Sequence, residues 1–283
     1  MPRRHPDWLK VNIPGGKNFT RVNSCLRKYG LHTVCAQARC PNMAECYGNG
    51  TATFLLLGNV CTRGCRYCNI SPGNPAALDP YEPDHIAAAV AELGLEYVVI
   101  TSVTRDDLAD GGALQFARSV RAIRAKSPCT GIELLVPDFN GSLSALQTVT
   151  DACPNVLAHN IEVVKQLFAR LRPKGSYTRS LQLLRRITQL NPGITVKSGL
   201  MLGLGETMGQ IKLTLKDLRN HGAAAVSLGQ YLQPAKTNAP VDRYYSPEEF
   251  TRLKAYALSL GFLHVEASPL TRSSYHAERI PCG

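Results

Sequence analysis

Six of the ten cysteines crowd between positions 35 and 68, in two triplets: Cys35, Cys40 and Cys46 spaced C-x4-C-x5-C, and Cys61, Cys65 and Cys68 spaced C-x3-C-x2-C. Thiols gathered this way are disulfide partners, zinc ligands or iron-sulfur ligands, and their spacing weighs among these. Disulfides are disfavoured, because a 283-residue chain with a full core needs no covalent staple. Structural zinc usually takes four ligands, often in C-x2-C pairs, whereas each triplet offers three. Three thiolates on a cubane cluster leave one iron open to a small molecule or an unusual side chain, so odd triplets point to chemistry. The remaining cysteines, Cys25, Cys129, Cys153 and Cys282, have no partner spacing and read as structural thiols.

The rest of the chain is ordinary for a globular protein, with 44% hydrophobic and 19% charged residues, and could form one α/β barrel or two domains. No apolar run is long enough to span a membrane. The first residues carry Arg3 and Arg4 but no apolar stretch, and read as a cytoplasmic arm rather than a secretion signal. The net charge of +11 favours encounter with an acidic partner. That charge is spread along the chain without interleaved aromatics, which argues against nucleic acid and leaves an acidic carrier protein or a merely solvated basic surface.

Apolar runs alternate with helical patterns, the signature of parallel βαβ units. Strands are expected near 53–58, 97–103, 131–136, 155–160, 194–202 and 224–232, and helices near 84–93, 112–126, 142–152, 162–170, 178–190, 207–221 and 247–260. Asp84 after Pro83, Ser142, and Ser246 before Pro247 are expected helix starts. Six such units make an α/β fold, a partial (β/α)6 barrel open on one side. Residues 1–50 and 263–283 form flanking extensions around a 51–262 barrel, and are expected to meet over its mouth. Polar residues at strand ends mark the rim as the site: Thr101, Ser102, Arg105, Asp106, Asp107 and Asp110 after the second strand, Asn160 and Glu162 after the fourth, and Arg179 before a helix. Lys197 on the fifth strand needs a buried acidic neighbour, either a cofactor group or Glu133. The GLMLGLGE run ending at Glu206 lacks the ending of a P-loop, which rejects nucleoside triphosphate binding.

The loop CTRGCRYC after the strand TFLLLG, with Tyr67 before its last cysteine, resembles the signature of the radical S-adenosylmethionine (SAM) superfamily. The resemblance implies that Cys61, Cys65 and Cys68 hold a 4Fe-4S cluster whose open iron is chelated by SAM. The stretch TVCAQARCPNMAECYGNGTATFLLLGNVCTRGCRYCNI is similar throughout to lipoyl synthases, in which a C-x4-C-x5-C triplet holds a second, auxiliary 4Fe-4S cluster. RSSYHA, Arg272 to Ala277, resembles their RSSYxA motif, which implies Ser274 as that cluster's fourth ligand. An alkoxide is a harder ligand than thiolate, so that corner should detach most easily.

The same resemblance implies the chemistry. An electron from the Cys61/Cys65/Cys68 cluster cleaves SAM, and the resulting radical takes hydrogen from carbons six and eight of an octanoyl-lysine chain. Sulfide of the auxiliary cluster is then consumed. Tyr67, Thr101, Ser102, Asp107, Asn160, Glu162, Arg179 and Lys197 are the expected SAM-side residues, with Arg179 set against the methionine carboxylate. Expected partners are an octanoylated lipoyl carrier protein or domain, an electron donor such as ferredoxin or flavodoxin, and an iron-sulfur carrier that rebuilds the cluster. A monomer is expected, with no nucleic acid and no membrane. The chain departs from its relatives at Ala235 to Asn238, at Tyr47 and at Ala36, which leaves the carrier open. A biotin synthase-like sulfur inserter and a non-catalytic iron-sulfur electron carrier stand as alternatives.

Overall fold

The strands are short apolar runs buried on both faces, the pattern of a parallel sheet covered by helices. A computed structural model describes residues 6–11 and 15–280; Cys282, Arg3 and Arg4 lie outside the described residues. In chain order the elements are α1 (Lys17–Lys28), β1 (His32–Thr33), α2 (Val34–Gln37), α3 (Met43–Gly48), β2 (Thr53–Leu56), β3 (Val60–Cys61) and β4 (Ser71–Pro72). There follow α4 (Glu82–Leu93), β5 (Tyr97–Ser102), α5 (Ala113–Lys126), β6 (Gly131–Leu135), α6 (Leu143–Thr150), β7 (Val156–Ala158) and α7 (Phe168–Leu171). The last are α8 (Tyr177–Leu190), β8 (Thr195–Leu202), α9 (Met208–Asn220), β9 (Ala225–Gln230), α10 (Pro247–Ser259) and β10 (His264–Ser268).

One sheet runs β1-β2-β5-β6-β7-β8-β9-β10, parallel throughout except for β1, which pairs antiparallel with β2. Its end strands β1 and β10 do not pair, so the sheet is an open barrel. All strand-to-helix loops therefore gather at one end, where such folds build their sites. The core packs Phe54, Leu56, Ile100, Ile132, Leu134 and Leu157, all fully buried, against the apolar faces of the helices. Ser246 caps α10 in a box with Glu249, and Ser142 caps α6 by accepting from the Ala145 amide.

The sheet carries a seventh parallel strand that the sequence reading placed inside the C-terminal extension. β10 pairs with β9 from His264↔Ala225 to Ser268↔Gly229. Only Val265 in it is buried, so it lacks the continuous apolar run that marks the other strands. The helix expected over 162–170 shrinks to a 3-10 turn at Lys165–Leu167 and the four-residue α7. Glu162, in the left-handed region at φ 67, instead forms an isolated bridge with Leu200 that ties the backbone to β8. Asp84 does not cap α4: the helix begins at Glu82, Pro83 occupies its second position and Asp84 its third.

Leaving β2, the chain turns at Leu57 in a left-handed conformation, φ 71, and the buried Glu82 carboxylate accepts the Leu57 amide at 2.9 Å. Leu57 lies over Gly112, where an added Cβ would stand 2.3 Å from its Cδ1. This close packing aims the following loop across the end of the sheet.

Candidate active site

Cys61, Cys65 and Cys68 lie on that loop. It starts on the small ribbon of β3 and β4 and is pinned from three sides: the Thr62 amide donates to Thr104 O, the Arg66 amide to Leu171 O, and Asn238 Nδ2 to Cys68 O at 2.8 Å. Arg63 turns inward from the same loop, 4% exposed, and donates to both oxygens of Asp106 at 2.8 Å and to Asp138 Oδ1 at 2.7 Å. Burial works against its charge, but the two carboxylates outweigh it and hold Arg63 above its ordinary value. Asp138, also buried, is held well below the usual carboxylate range by Arg63 despite its burial. The three thiols feel one another: burial pushes Cys68 up to about 12, reinforced by Cys65 and Cys61. Burial likewise raises Cys65, against the pull of Arg172.

The other triplet sits on the N-terminal flank. Thr33 caps α2 and hydrogen-bonds the buried Tyr47 hydroxyl at 2.7 Å, which fixes Cys35 in the first turn of the helix. Arg39 in a left-handed conformation then reverses the chain, so that the Cys40 amide donates back to Cys35 O. Cys46 lies in α3. Burial pushes Cys35 up to about 11 and Cys46 up to about 12, and in both the neighbouring thiols of this triplet add to the rise. Cys61 and Cys65 thus act on Cys68, and Cys35 and Cys40 on Cys46, as neighbours within each triplet.

The residues beyond β10 fold back over the first triad. Asn42 donates to Leu270 O at 2.8 Å, and Tyr275 OH donates to Glu45 at 3.0 Å. The Thr53 hydroxyl donates to Ser274 Oγ at 2.8 Å, while the Cys35 thiol also hydrogen-bonds Thr53. Gly229 makes room for this strap, since an added Cβ would stand 2.0 Å from Thr271 O.

Between the triads lies a polar group from the rim. Asn160 donates to Glu162 Oε1 at 3.0 Å and to Ser273 Oγ at 2.6 Å. Burial raises Glu162, against the pull of Arg172. Arg172 donates to Asn160 O at 3.0 Å, and its charge is sustained against burial by Tyr67, Glu162 and Cys65. The Tyr67 hydroxyl hydrogen-bonds Cys65, and burial drives this phenol well above its ordinary value. Tyr67, Asn160 and Glu162 are thus brought together. Arg172 was not singled out in the sequence, nor were Arg63 and Asp138; their partners come from other strands, and no local spacing signals them.

Other expected residues stand elsewhere. Arg179 joins the Arg63–Asp138 group, its Nε donating to Asp138 Oδ2 at 2.8 Å. Asp107 is held by a two-pronged contact with Arg105, and Asp110 accepts the Gly112 and Leu114 amides at the start of α5. Thr101 donates to Leu135 O. Lys197 is turned into the sheet interior, where its ammonium meets both oxygens of Glu133 at 2.8 and 3.0 Å, both side chains buried. Of the two acidic neighbours expected for it, the structure shows Glu133. Of the unassigned thiols, Cys25 is buried but Cys129 and Cys153 are exposed.

Among the described residues, no three His, Cys, Asp or Glu side chains converge as they would on a single metal ion. Several groups nevertheless lack a partner that a larger bound group would supply. Asn160 Oδ1 and Ser102 Oγ are buried without a hydrogen-bond partner, and such atoms call for one. Arg272 is half-buried beside Cys40 and donates to Thr271 O, and desolvation holds it below its ordinary value against the pull of Cys40. A partly desolvated cation beside a thiol suits an anionic thiolate cluster. Cys35, Cys40, Cys46, Cys65 and Cys68, raised by burial, need a positive charge such as that of iron to ionise. The residues fit two clusters and a hydroxyl-bearing ligand between them.

Residues 55–218 match the radical SAM superfamily, and residues 2–40 match the N-terminal domain of lipoyl synthase of the radical SAM family. The fold agrees: the chain superposes on methylornithine synthase with a TM-score of 0.55 at 15% identity, covering 87% of this chain and 81% of that one. It also superposes on the FeFe-hydrogenase maturase HydG of Carboxydothermus hydrogenoformans with a TM-score of 0.60 at 16% identity, covering 75% of this chain and 52% of that one. The open barrel with a C-x3-C-x2-C loop at its mouth is thus that of a radical SAM protein. Three curated lipoyl synthases are each 50% identical to it: those of Methylococcus capsulatus, covering 98% of this chain and 87% of that protein, Alcanivorax borkumensis, 98% and 85%, and a Roseiflexus species, 97% and 91%. The chain belongs to the lipoyl synthase family, whose cofactors are SAM and 4Fe-4S clusters.

Proposed function

We propose that the chain inserts sulfur at carbons six and eight of an octanoyl group borne on a lysine of a lipoyl carrier protein or domain. The observation that supports this reading is the hydrogen bond from Thr53, a neighbour of the Cys35 thiol, to Ser274 Oγ, which joins the serine to the N-terminal cysteine segment. An electron carrier has no use for an oxygen corner or for the unpartnered Oδ1 of Asn160.

An aliphatic C–H bond offers no acidic proton, so acid-base residues cannot open it, and the bound SAM and clusters supply the hydrogen abstraction and the sulfur. The protein holds, orients and shields. Cys61, Cys65 and Cys68 hold the SAM-side cluster, and Cys35, Cys40, Cys46 and Ser274 hold the auxiliary one. Arg172 offsets their negative charge on one side and Arg272 on the other. Asn160 Oδ1 and Ser102 Oγ accept and donate toward the SAM hydroxyls, with Glu162 fixing the Asn160 amide. Arg179, oriented by Asp138, serves the methionine carboxylate. Thr101 and Asp107 support the rim through their own partners, and Lys197 supports the barrel.

Acidic carrier domains suit the +11 charge. A ferredoxin or flavodoxin as reductant, an iron-sulfur carrier for rebuilding the auxiliary cluster, a monomeric state and a cytoplasmic location complete the proposal. Among the described residues no helix is long and apolar enough to cross a membrane. The test is anaerobic reconstitution with an octanoylated carrier peptide, reductant and SAM. The product should gain two sulfur atoms, with loss of two hydrogens in its disulfide form, and 5'-deoxyadenosine should accumulate. Unchanged peptide alongside SAM cleavage redirects the reading to another sulfur acceptor, and absence of both leaves an electron carrier.

A further inference from the structure

Ser273 and Ser274 are neighbours whose hydroxyls serve opposite sides of the site. Ser274 Oγ accepts from Thr53 beside the first triad, and Ser273 Oγ accepts from Asn160 Nδ2 at 2.6 Å beside the second. Both hydrogens of the Asn160 amide are in use, on Ser273 and on Glu162, which leaves Oδ1 buried and open. The geometry depends on Gly199: a Cβ there would stand 2.7 Å from Asn160 Oδ1 and 3.0 Å from Ser273 Oγ. Glu162 is itself fixed to β8, its amide donating to Gly199 O and its carbonyl accepting from Met201. Asn160 therefore sits on an edge fixed to β8, and the strap docks against it through Ser273.

We propose that Ser273 is a positioning residue, which ties the strap to Asn160 so that a hydroxyl ligand donating to Asn160 Oδ1 also fixes Ser274 against the first triad. The inference rests on the reading of Ser274 as a cluster ligand and of Asn160 as a SAM contact. The coupling has a direct physical origin. A hydrogen bond received at Oδ1 polarises the amide and strengthens what its N–H groups donate. It also selects the amide orientation in which Nδ2 faces Ser273, against the flipped one. Because linkage is reciprocal, docking of the strap must tighten the ligand by the same factor.

The test uses holoprotein with both clusters reconstituted, kept oxidised so that no turnover occurs. SAM affinity is measured by equilibrium dialysis, and the auxiliary cluster is followed by Mössbauer spectroscopy with and without SAM. Wild type should show a distinct iron site that sharpens on SAM addition. Ser273→Ala should weaken SAM binding roughly five- to ten-fold and abolish the SAM-dependent change. Gly199→Ala, which crowds the same contact from the other side, should do likewise. The coupling is overturned if Ser273→Ala binds SAM within about two-fold of wild type and keeps the spectral response. Ser274→Ala separates the two layers. If it leaves the auxiliary spectrum unchanged, the ligand reading fails and the coupling falls with it; if it alters the spectrum while Ser273→Ala does not alter the response, the coupling alone fails.

Discussion

Thr53 donates its hydroxyl hydrogen to Ser274 across 2.8 Å, joining positions 221 residues apart in the sequence. The contact sets the start of the first parallel strand against a strap that follows the last one, next to Cys35. Thr53 is 6% exposed and orients both Cys35 and Ser274, as residues behind a metal ligand do. Thr53→Ala should lower lipoyl product formation roughly ten- to a hundred-fold. Formation of 5'-deoxyadenosine, assigned in the proposed function to Cys61, Cys65 and Cys68, should persist; equal loss of both products would refute this division of labour.

Lys197 and Glu133 provide a test of a structural assignment. Lys197→Met leaves Glu133 buried without its partner and should cost about 3–5 kcal/mol of stability in urea unfolding. Pairing it with Glu133→Leu should restore most of that loss, because the desolvated pair is replaced by apolar volume. SAM affinity of the double variant should match wild type, and a large drop would return Lys197 to the binding site.

His159 is buried, its Nδ1 on Val136 O at 2.8 Å and its Nε2 on Ser180 Oγ at 3.0 Å. Burial, with Arg172 adding to it, depresses this imidazole to about 4 from its ordinary value of 6.5. Between these values the unfolded chain takes up a proton that the folded one refuses. Stability should therefore be intact above about pH 6.5 and fall as pH drops toward 4, by on the order of 3 kcal/mol. His159→Asn should flatten the slope in that window. Asp138, held below the carboxylate range by Arg63, adds its own loss only at lower pH. Urea midpoints at several pH values separate the two.

Gly229 faces the backbone of the strap, with Thr271 O 2.0 Å from where a Cβ would stand. Gly229→Ala must displace residues 270–276 and should cost about 1–3 kcal/mol. Hydrogen exchange should quicken in the strap while β9 remains protected. Unchanged exchange there would mean that the sheet yields instead.

Each cysteine triplet comes from one short stretch, so distance along the chain stands for distance in space and the spacing alone groups the thiols. The strands were legible wherever both faces are buried, as in Phe54 to Leu56 or Val98 to Ile100. β10 was not, since it presents His264 and Glu266 at partial exposure on the edge of the sheet. Glu162 misled through its apolar neighbours Val163 and Val164, which suit a helix turn, whereas its own left-handed backbone breaks one. Lys197 shows a different limit: its place on a strand called for a buried acid and left Glu133 as one of two candidates, and only the order of strands sets Glu133 beside it. Arg63, Asp138 and Arg172 became visible only when the order of strands brought them together.

The strap is joined to the N-terminal side through Asn42 to Leu270, Thr53 to Ser274, and Glu45 to Tyr275 and His276, among other contacts. Anything bound between them adds its own affinity to that seam, because a ligand that binds only the assembled form stabilises it. On the proposed chemistry each turnover empties the seam, so a spent molecule has looser ends than a fresh one. Susceptibility to a protease near residues 35–50 and 270–280 then becomes a clock of recent work, and a handle by which spent and loaded molecules can be told apart.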